Sequence, residues 1–110
     1  MHELAIAESI VEAISARTDG AAVREVLLEI GRLSGVSTDS LRFCFELAAG
    51  GTPLAGARLD IREPSGRAHC ASCGQEFAVD DLIMLCDCGS AEVEVLAGDE
   101  LRIVSVEVCR

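Results

Sequence analysis

The sequence is poor in aromatic residues and in positive charge. It has three phenylalanines, no tryptophan and no tyrosine among 110 residues. Its core must therefore be aliphatic, with Phe43 and Phe45 in support. Nine basic residues stand against 19 acidic ones, which gives a net charge of -10. Such an acidic chain repels phosphate backbones and anionic lipids, which argues against nucleic-acid and membrane partners.

The sequence also lacks a secretory signal and a membrane-spanning run. Its first residues include Glu3, Glu8 and Glu12, where a signal peptide would have a basic segment followed by an apolar one. No apolar stretch approaches the length of a transmembrane helix. We therefore expect a cytoplasmic protein, in which paired cysteines bind metal more often than they form structural disulfides.

Hydrophobic periodicity predicts an α+β fold. Apolar residues recur at helical spacing over residues 3–17 and 38–49, and they alternate with polar ones over 22–33, 56–63 and 100–108. We expect a three-stranded sheet covered by two helices, with a small zinc-ribbon-like domain inserted before the last strand.

Four of the six cysteines form two close pairs, Cys70-Ala-Ser-Cys73 and Cys86-Asp-Cys88. A tight turn between paired cysteines points backbone N–H groups at the sulfurs, so each pair can hold one side of a tetrahedral ion. Four thiolates with no open position indicate structural zinc, and iron is the alternative. The twelve residues between Cys73 and Cys86 allow a two-stranded ribbon that brings the pairs together. A redox CxxC is disfavoured, because no helix start follows the first pair.

Three other residues resemble metal ligands or reactive thiols. His69 precedes the first pair and is an alternative zinc ligand, but four thiolates already fill the shell, so we expect a turn residue. Cys44 lies between two phenylalanines in the second helix and is expected to pack in the core. Cys109 has no partner at a paired spacing and is expected to be a free thiol.

The N-terminus offers a second metal site. The free amine of Met1, the amide nitrogen between residues 1 and 2, and the His2 imidazole can close fused chelate rings around one ion. This nitrogen-rich, square-planar arrangement suits Ni²⁺ or Cu²⁺. Glu3 can add its amide or its carboxylate. The opposing interpretation is a frayed terminus, because terminal residues are usually disordered.

The whole chain resembles the HypA/HybF family of nickel-insertion accessory proteins. The resemblance begins with Met1-His2-Glu3 at the start of an amphipathic helix. It continues through Leu41-Arg-Phe-Cys-Phe-Glu-Leu47, the cysteine pairs and Gly98-Asp-Glu-Leu-Arg-Ile103. The family commonly has two CxxC pairs, whereas the second pair here is CxC, so its turn must be tighter.

The resemblance implies a two-lobed nickel metallochaperone. Residues 1–63 and 99–110 would form a nickel-binding α+β domain, and residues 64–98 an inserted zinc domain. Met1, His2 and Glu3 would bind Ni²⁺ as transient cargo. The zinc ligands would be Cys70, Cys73, Cys86 and Cys88. The implied partners are a HypB-type GTPase and the large subunit of [NiFe]-hydrogenase, or urease accessory proteins in some bacteria.

Two other functions compete with nickel delivery. A zinc-ribbon module for protein–protein interaction predicts zinc without any dependence on His2. A metal enzyme is the weakest candidate, because a catalytic zinc keeps an open position that four thiolates do not leave. With two histidines and no phosphate-binding glycine loop, no set of catalytic residues can be assembled. We therefore expect a protein without enzymatic activity.

Overall fold

The computed structural model describes residues 2–81 and 83–109, and this part of the chain forms two α-helices and six β-strands. In chain order they are α1 (Glu3–Arg17), β1 (Val23–Ile30), α2 (Thr38–Ala49), β2 (Arg58–Arg62), β3 (Gly66–Cys70), β4 (Glu76–Val79), β5 (Val93–Ala97) and β6 (Leu101–Val108). The strands form two three-stranded sheets, in the orders β2-β1-β6 and β4-β3-β5. The predicted α+β class is confirmed. No helix within the described residues is long and apolar enough to cross a membrane.

The first of two compact units contains the chain up to Leu28, the segment Val36–Ile61 and the chain from Arg102 onward. Its two helices pack against each other. Helix α1 has the predicted bounds, because its apolar residues recur every three or four positions and line one buried face. The buried residues of α1 are Ile6, Ala7, Ile10, Val11 and Ile14.

Strand β1 alternates as predicted but is shorter than predicted. Val26, Leu28 and Ile30 are at most 1% exposed and share one face of the strand. The prediction extended this strand to residue 33. It stops at Ile30 because the next residues turn: the Ser34 backbone N–H donates to the Gly31 carbonyl at 3.0 Å.

Helix α2 has its predicted bounds but does not bury both of its phenylalanines. The Ser37 hydroxyl accepts a hydrogen bond from the Ser40 backbone N–H at 3.3 Å, which satisfies one of the free N–H groups at the helix start. Phe45 is 2% exposed and Phe43 is 64% exposed. The prediction that both support the core was wrong for Phe43, because residues two apart on a helix differ by about 200° and cannot share a face.

The second compact unit contains Arg62–Leu101 together with Glu29–Gly35. Its central strand, β3, pairs antiparallel with β4 and with β5. Ala68 is fully buried there and lies opposite Phe77 on one side and Val95 on the other. The assignment of nickel binding to one domain and zinc binding to the other stays a prediction.

The predicted ribbon between Cys73 and Cys86 was wrong in its position. Among the described residues between these two cysteines the one strand is β4, and its partner β3 ends at Cys70. Strand β3 escaped the periodicity analysis because Gly66 and Ala68, which it buries, are too small to give a hydrophobic signal. Gly66 is packed tightly: a side chain there would collide with Leu33, and a side chain at Gly98 would collide with Gly66 itself.

Candidate functional site

The first cysteine pair is held in a tight turn at the end of β3. The Gly74 backbone N–H donates to the Cys70 carbonyl at 2.8 Å, and the Cys70 N–H donates to the Gln75 carbonyl at 2.9 Å. Gly74 has a φ of 80°, a left-handed conformation that glycine adopts without the strain a side chain would add. This turn brings Cys70 and Cys73 to the same side of the loop.

The second cysteine pair repeats this turn with one residue fewer. The Gly89 backbone N–H donates to the Cys86 carbonyl at 2.8 Å, and the Cys86 N–H donates to the Ser90 carbonyl at 3.0 Å. Gly89 has a φ of 91°. The hydrogen bond that closes the turn thus spans three residues here and four in the first pair. The CxC spacing is accommodated by a shorter turn of the same kind.

The two turns bring four sulfur atoms together. All four Sγ atoms lie within 4.8 Å of one another, with Cys70 3.7 Å from Cys88 and Cys73 3.5 Å from Cys86. A tetrahedral zinc with bonds of about 2.3 Å places its sulfurs about 3.8 Å apart, so this arrangement fits the ion. The cysteines are free, and these separations are far longer than a disulfide bond of about 2.05 Å.

Burial and ionisation differ among the four thiols. Cys70 and Cys86 are buried, whereas Cys73 and Cys88 are exposed. The backbone N–H of Cys73 lowers the pKa of the Cys70 thiol to about 6. The backbone N–H of Cys88 acts in the same direction on Cys86, but burial and the neighbouring sulfurs outweigh it and raise the Cys86 pKa. Four thiols at this spacing ionise together only when a cation balances them.

A pair of serines joins the two turns, and the sequence analysis missed it. The hydroxyl oxygens of Ser72 and Ser90 lie 2.8 Å apart. The Ser90 hydroxyl also accepts a hydrogen bond from the Glu92 backbone N–H at 3.0 Å. Ser72 lies inside the first cysteine pair and Ser90 directly follows the second turn, which is the signal the sequence offered. These hydrogen bonds hold the two halves of the cysteine cluster in register.

The structure does not bring His69 into the cysteine cluster. His69 lies in β3 between Ala68 and Cys70, which are both buried, so its side chain points to the opposite face of the sheet. On the neighbouring strands it lies opposite Glu76 and Glu94. The group of metal-ligating side chains found among the described residues contains the four cysteines alone.

Two of the three predicted nickel-binding residues, His2 and Glu3, lie at the start of α1. His2 is exposed and is the N-cap residue, in an extended conformation, and its carbonyl accepts the Ile6 backbone N–H at 3.2 Å. The Glu3 carboxylate accepts a hydrogen bond at 3.1 Å from the backbone N–H of Ser37, the N-cap residue of α2. This hydrogen bond is the main reason that the Glu3 pKa is lowered. Met1 lies outside the described residues.

Comparison with known proteins gives the family. Residues 1–108 match a family model described as hydrogenase/urease nickel incorporation, metallochaperone, hypA. This chain belongs to the HypA family.

Two HypA relatives match this chain along nearly their whole length. A hydrogenase maturation factor HypA from Nostoc sp. strain PCC 7120 is 44% identical over 108 residues, which cover 98% of this chain and 96% of the relative. A protein of the same description from Geobacter metallireducens is 45% identical, with 98% and 99% covered. The family match confirms the resemblance seen in the sequence.

Solved HypA structures share the fold. The solution structure of the Ni metallochaperone HypA from Helicobacter pylori has a TM-score of 0.65 to this chain at 24% identity, and the match covers 98% of this chain and 97% of the other. A second solution structure of a HypA protein has a TM-score of 0.64 at 24% identity. At this level of identity, the likeness concerns the fold.

Proposed function

We propose that this HypA-family protein is a nickel metallochaperone that binds Ni²⁺ at its N-terminus and helps insert it into the large subunit of [NiFe]-hydrogenase. The observation that carries the proposal is the position of His2. It is exposed and stands directly before the first turn of α1. The first N–H groups of a helix have no backbone acceptor within the helix. The Glu3 N–H interacts with the carboxylate of its own side chain, so neither this amide nor that of His2 is bound into the helical hydrogen-bond ladder.

In this proposal the Met1 amine, the His2 imidazole and the amides of His2 and Glu3 are the nickel ligands. The Glu3 carboxylate is engaged with Ser37, so its part is to fix the first helical turn rather than to bind the ion. An exposed terminal chelate exchanges its ion more readily than a buried cage, and delivery requires release. We therefore treat nickel as cargo.

We propose zinc as the resident ion of the cysteine cluster. The supporting observations are the Sγ separations of 3.5 and 3.7 Å, which suit four thiolates around one tetrahedral ion. Zinc bound by Cys70, Cys73, Cys86 and Cys88 would stabilise β3–β5 and leave no position for a reacting group. The role assigned to this site is structural, and none of the proposed steps is catalytic.

The proposed partners are a HypB-type GTPase and the hydrogenase large subunit, met in the reducing cytoplasm that suits six free cysteines. The curated relatives are named as hydrogenase maturation factors, which favours hydrogenase as the acceptor. The family description also names urease. Nickel delivery to urease is therefore the second candidate.

The test is a nickel titration of untagged protein that retains its initiating methionine. His2→Ala should abolish the absorption bands of amide-bound, square-planar Ni²⁺. The matched control is His69→Ala, since the chain has two histidines and the second lies in β3. Equal nickel binding by the His2→Ala protein and the unmodified protein would refute the proposal, as would unchanged binding after an N-terminal extension.

A further inference from the structure

Helix α2 exposes two large apolar side chains on one face. Phe43 is 64% exposed and Leu47 is 60% exposed, and residues four apart on a helix are neighbours on its surface. Phe43 is one of three aromatic residues in the chain. A protein with so little aromatic surface to bury nevertheless leaves this ring in water. Contiguous exposed apolar surface of this kind often marks an interaction site.

The exposed pair is distinct from the face of α2 that packs inside. Leu41, Phe45 and Ala49 are at most 3% exposed and form the inner face. At about 100° per residue, Phe43 and Leu47 lie roughly opposite that face. The pair is therefore a second apolar stripe on a helix that has already buried its first, and its exposure is not a consequence of incomplete core packing.

Negative charge borders this stripe. Asp39 and Glu46 project beside Phe43 on the helical wheel, and neither forms an ion pair within the described residues. Arg42, the one basic residue of α2, lies between Glu46 and the inner face on the helical wheel, and its guanidinium donates to the Leu59 carbonyl at 2.7 Å. Its charge offsets one of the two carboxylates, so the border keeps a net negative charge on the side of Phe43. We name the surface formed by Asp39, Phe43, Glu46 and Leu47 the α2 stripe.

We propose that the α2 stripe binds an amphipathic helix of a partner protein, whose apolar side chains cover Phe43 and Leu47 and whose basic side chains meet Asp39 and Glu46. Two apolar anchors one helical turn apart fit the ridges of another helix. The acidic border selects a basic partner and rejects nucleic acid and anionic lipid. A second copy of this chain would set its own carboxylates against the same border.

The α2 stripe lies near the start of α1, where the proposed nickel ligands are. The N-cap residue of α2, Ser37, holds the Glu3 carboxylate, and Phe43 lies six residues further on, or about 9 Å along the helix axis. A helix docked on the stripe would therefore lie next to the start of α1. Only this link to nickel delivery rests on the proposed function, since docking itself needs no nickel.

The test uses a fluorescent peptide of about 18 residues with leucine on one face and lysine along its borders, and a twin with glutamate in place of lysine. Anisotropy should show binding of the lysine peptide and not of the glutamate twin. Backbone amide shifts of isotope-labelled protein should change along α2. Phe43→Ser with Leu47→Ser should weaken binding by about tenfold or more, as loss of buried anchors does.

Matched variants distinguish binding at the α2 stripe from the effects of net charge and of non-specific hydrophobic contact. One double variant, Asp39→Lys with Glu46→Lys, reverses the charge of the stripe. The control, Glu8→Lys with Glu12→Lys at exposed positions of α1, changes the net charge by the same amount. Only the first double variant should abolish peptide binding. Ile83→Ser, at a residue 76% exposed in the second unit, should leave binding unchanged. Circular dichroism and thermal unfolding verify that each variant is folded.

Four outcomes would overturn the proposal. The first is an equal loss of binding with both charge-changed double variants, and the second is amide shift changes that map away from α2. The third is binding of the glutamate twin or of anionic vesicles. The fourth is self-association that depends on Phe43 and is detected by sedimentation. Every measurement is made without nickel. Failure of nickel binding at His2 therefore leaves this result intact, and failure here leaves the nickel proposal intact.

Discussion

The Glu3 carboxylate accepts a hydrogen bond from the Ser37 backbone N–H at 3.1 Å and so fastens the first residue of α1 to the N-cap of α2. The carboxylate lies at the start of its own helix and next to the start of the other, where both helix dipoles favour negative charge. Glu3, which directly follows His2, is therefore attached to a fixed point of the fold.

This hydrogen bond predicts a pH-dependent stability difference. The folded-state pKa of Glu3 lies below its ordinary value of 4.5, so its contribution is full above that value and is lost as the pH falls through the folded pKa. Glu3→Gln should therefore lower the melting temperature at neutral pH, and the difference from the unmodified protein should shrink as the pH falls below 4.5 through the folded pKa of Glu3. Glu8→Gln is the control on the same helix. A deficit that persists in acid would contradict this role.

Zinc removal should loosen one unit and spare the other. Without the ion, the sheet of β3–β5 keeps little apolar surface, whereas α1 and β1 retain the buried residues described above. Hydrogen exchange after chelation should rise sharply at Ala68 and Val79 and remain slow at Val26 and Leu28. Uniform loss of protection along the chain would show that the two units unfold together.

The contact between Ser72 and Ser90 predicts that zinc is lost faster from Ser90→Ala than from Ser72→Ala. Ser90→Ala removes the contact with Ser72 and the hydrogen bond from Glu92, whereas Ser72→Ala removes the first contact alone. With about 1 kcal/mol per hydrogen bond, Ser90→Ala should speed zinc transfer to a colorimetric chelator about fivefold or more. Ser72→Ala should have the smaller effect. Ser105→Ala, in β6, is the control. Equal rates of zinc transfer for all three variants would show that the Ser72–Ser90 contact does not hold the cysteine cluster together.

Two leucines of α2 should differ in how much they contribute to the free energy of unfolding. Leu41 is fully buried and Leu47 is 60% exposed. Leu41→Ala should cost about 2–5 kcal/mol of unfolding free energy, because it leaves a cavity. Leu47→Ala should change it by about 0.5 kcal/mol or less. Urea unfolding measures both, and a comparable loss for the two variants would mean that the exposed face of α2 is covered in solution.

The sequence predicted the long amphipathic elements better than the short strands. Helices α1 and α2 follow the predicted bounds, because their apolar residues recur at helical spacing over a long stretch. Strand β3 was missed, because Gly66 and Ala68 fit between neighbouring backbones by being small, and smallness carries no periodic signal. Phe43 was placed inside because composition alone does not say which side of a helix a residue occupies.

The candidate metal ligands were recognisable because their spacing in the sequence is local, whereas the groups that support them are distant in sequence. The Ser37 N–H that holds Glu3 lies 34 residues away in sequence, and Ser72 and Ser90 are 18 residues apart. Such pairs are created by tertiary structure. Sequence spacing can propose the ligands of a site, but the contacts that orient them appear only when the chain is folded.

The two cysteine turns have a consequence for how relatives of this chain are found. Each is closed by a glycine N–H that donates to the carbonyl of the first cysteine, and the number of residues between the cysteines differs by one. The closing glycine, rather than the cysteine spacing, is what the turns share. A search pattern that demands two CxxC pairs would pass over this chain, whereas one that asks for two cysteine pairs each followed by glycine would retrieve it.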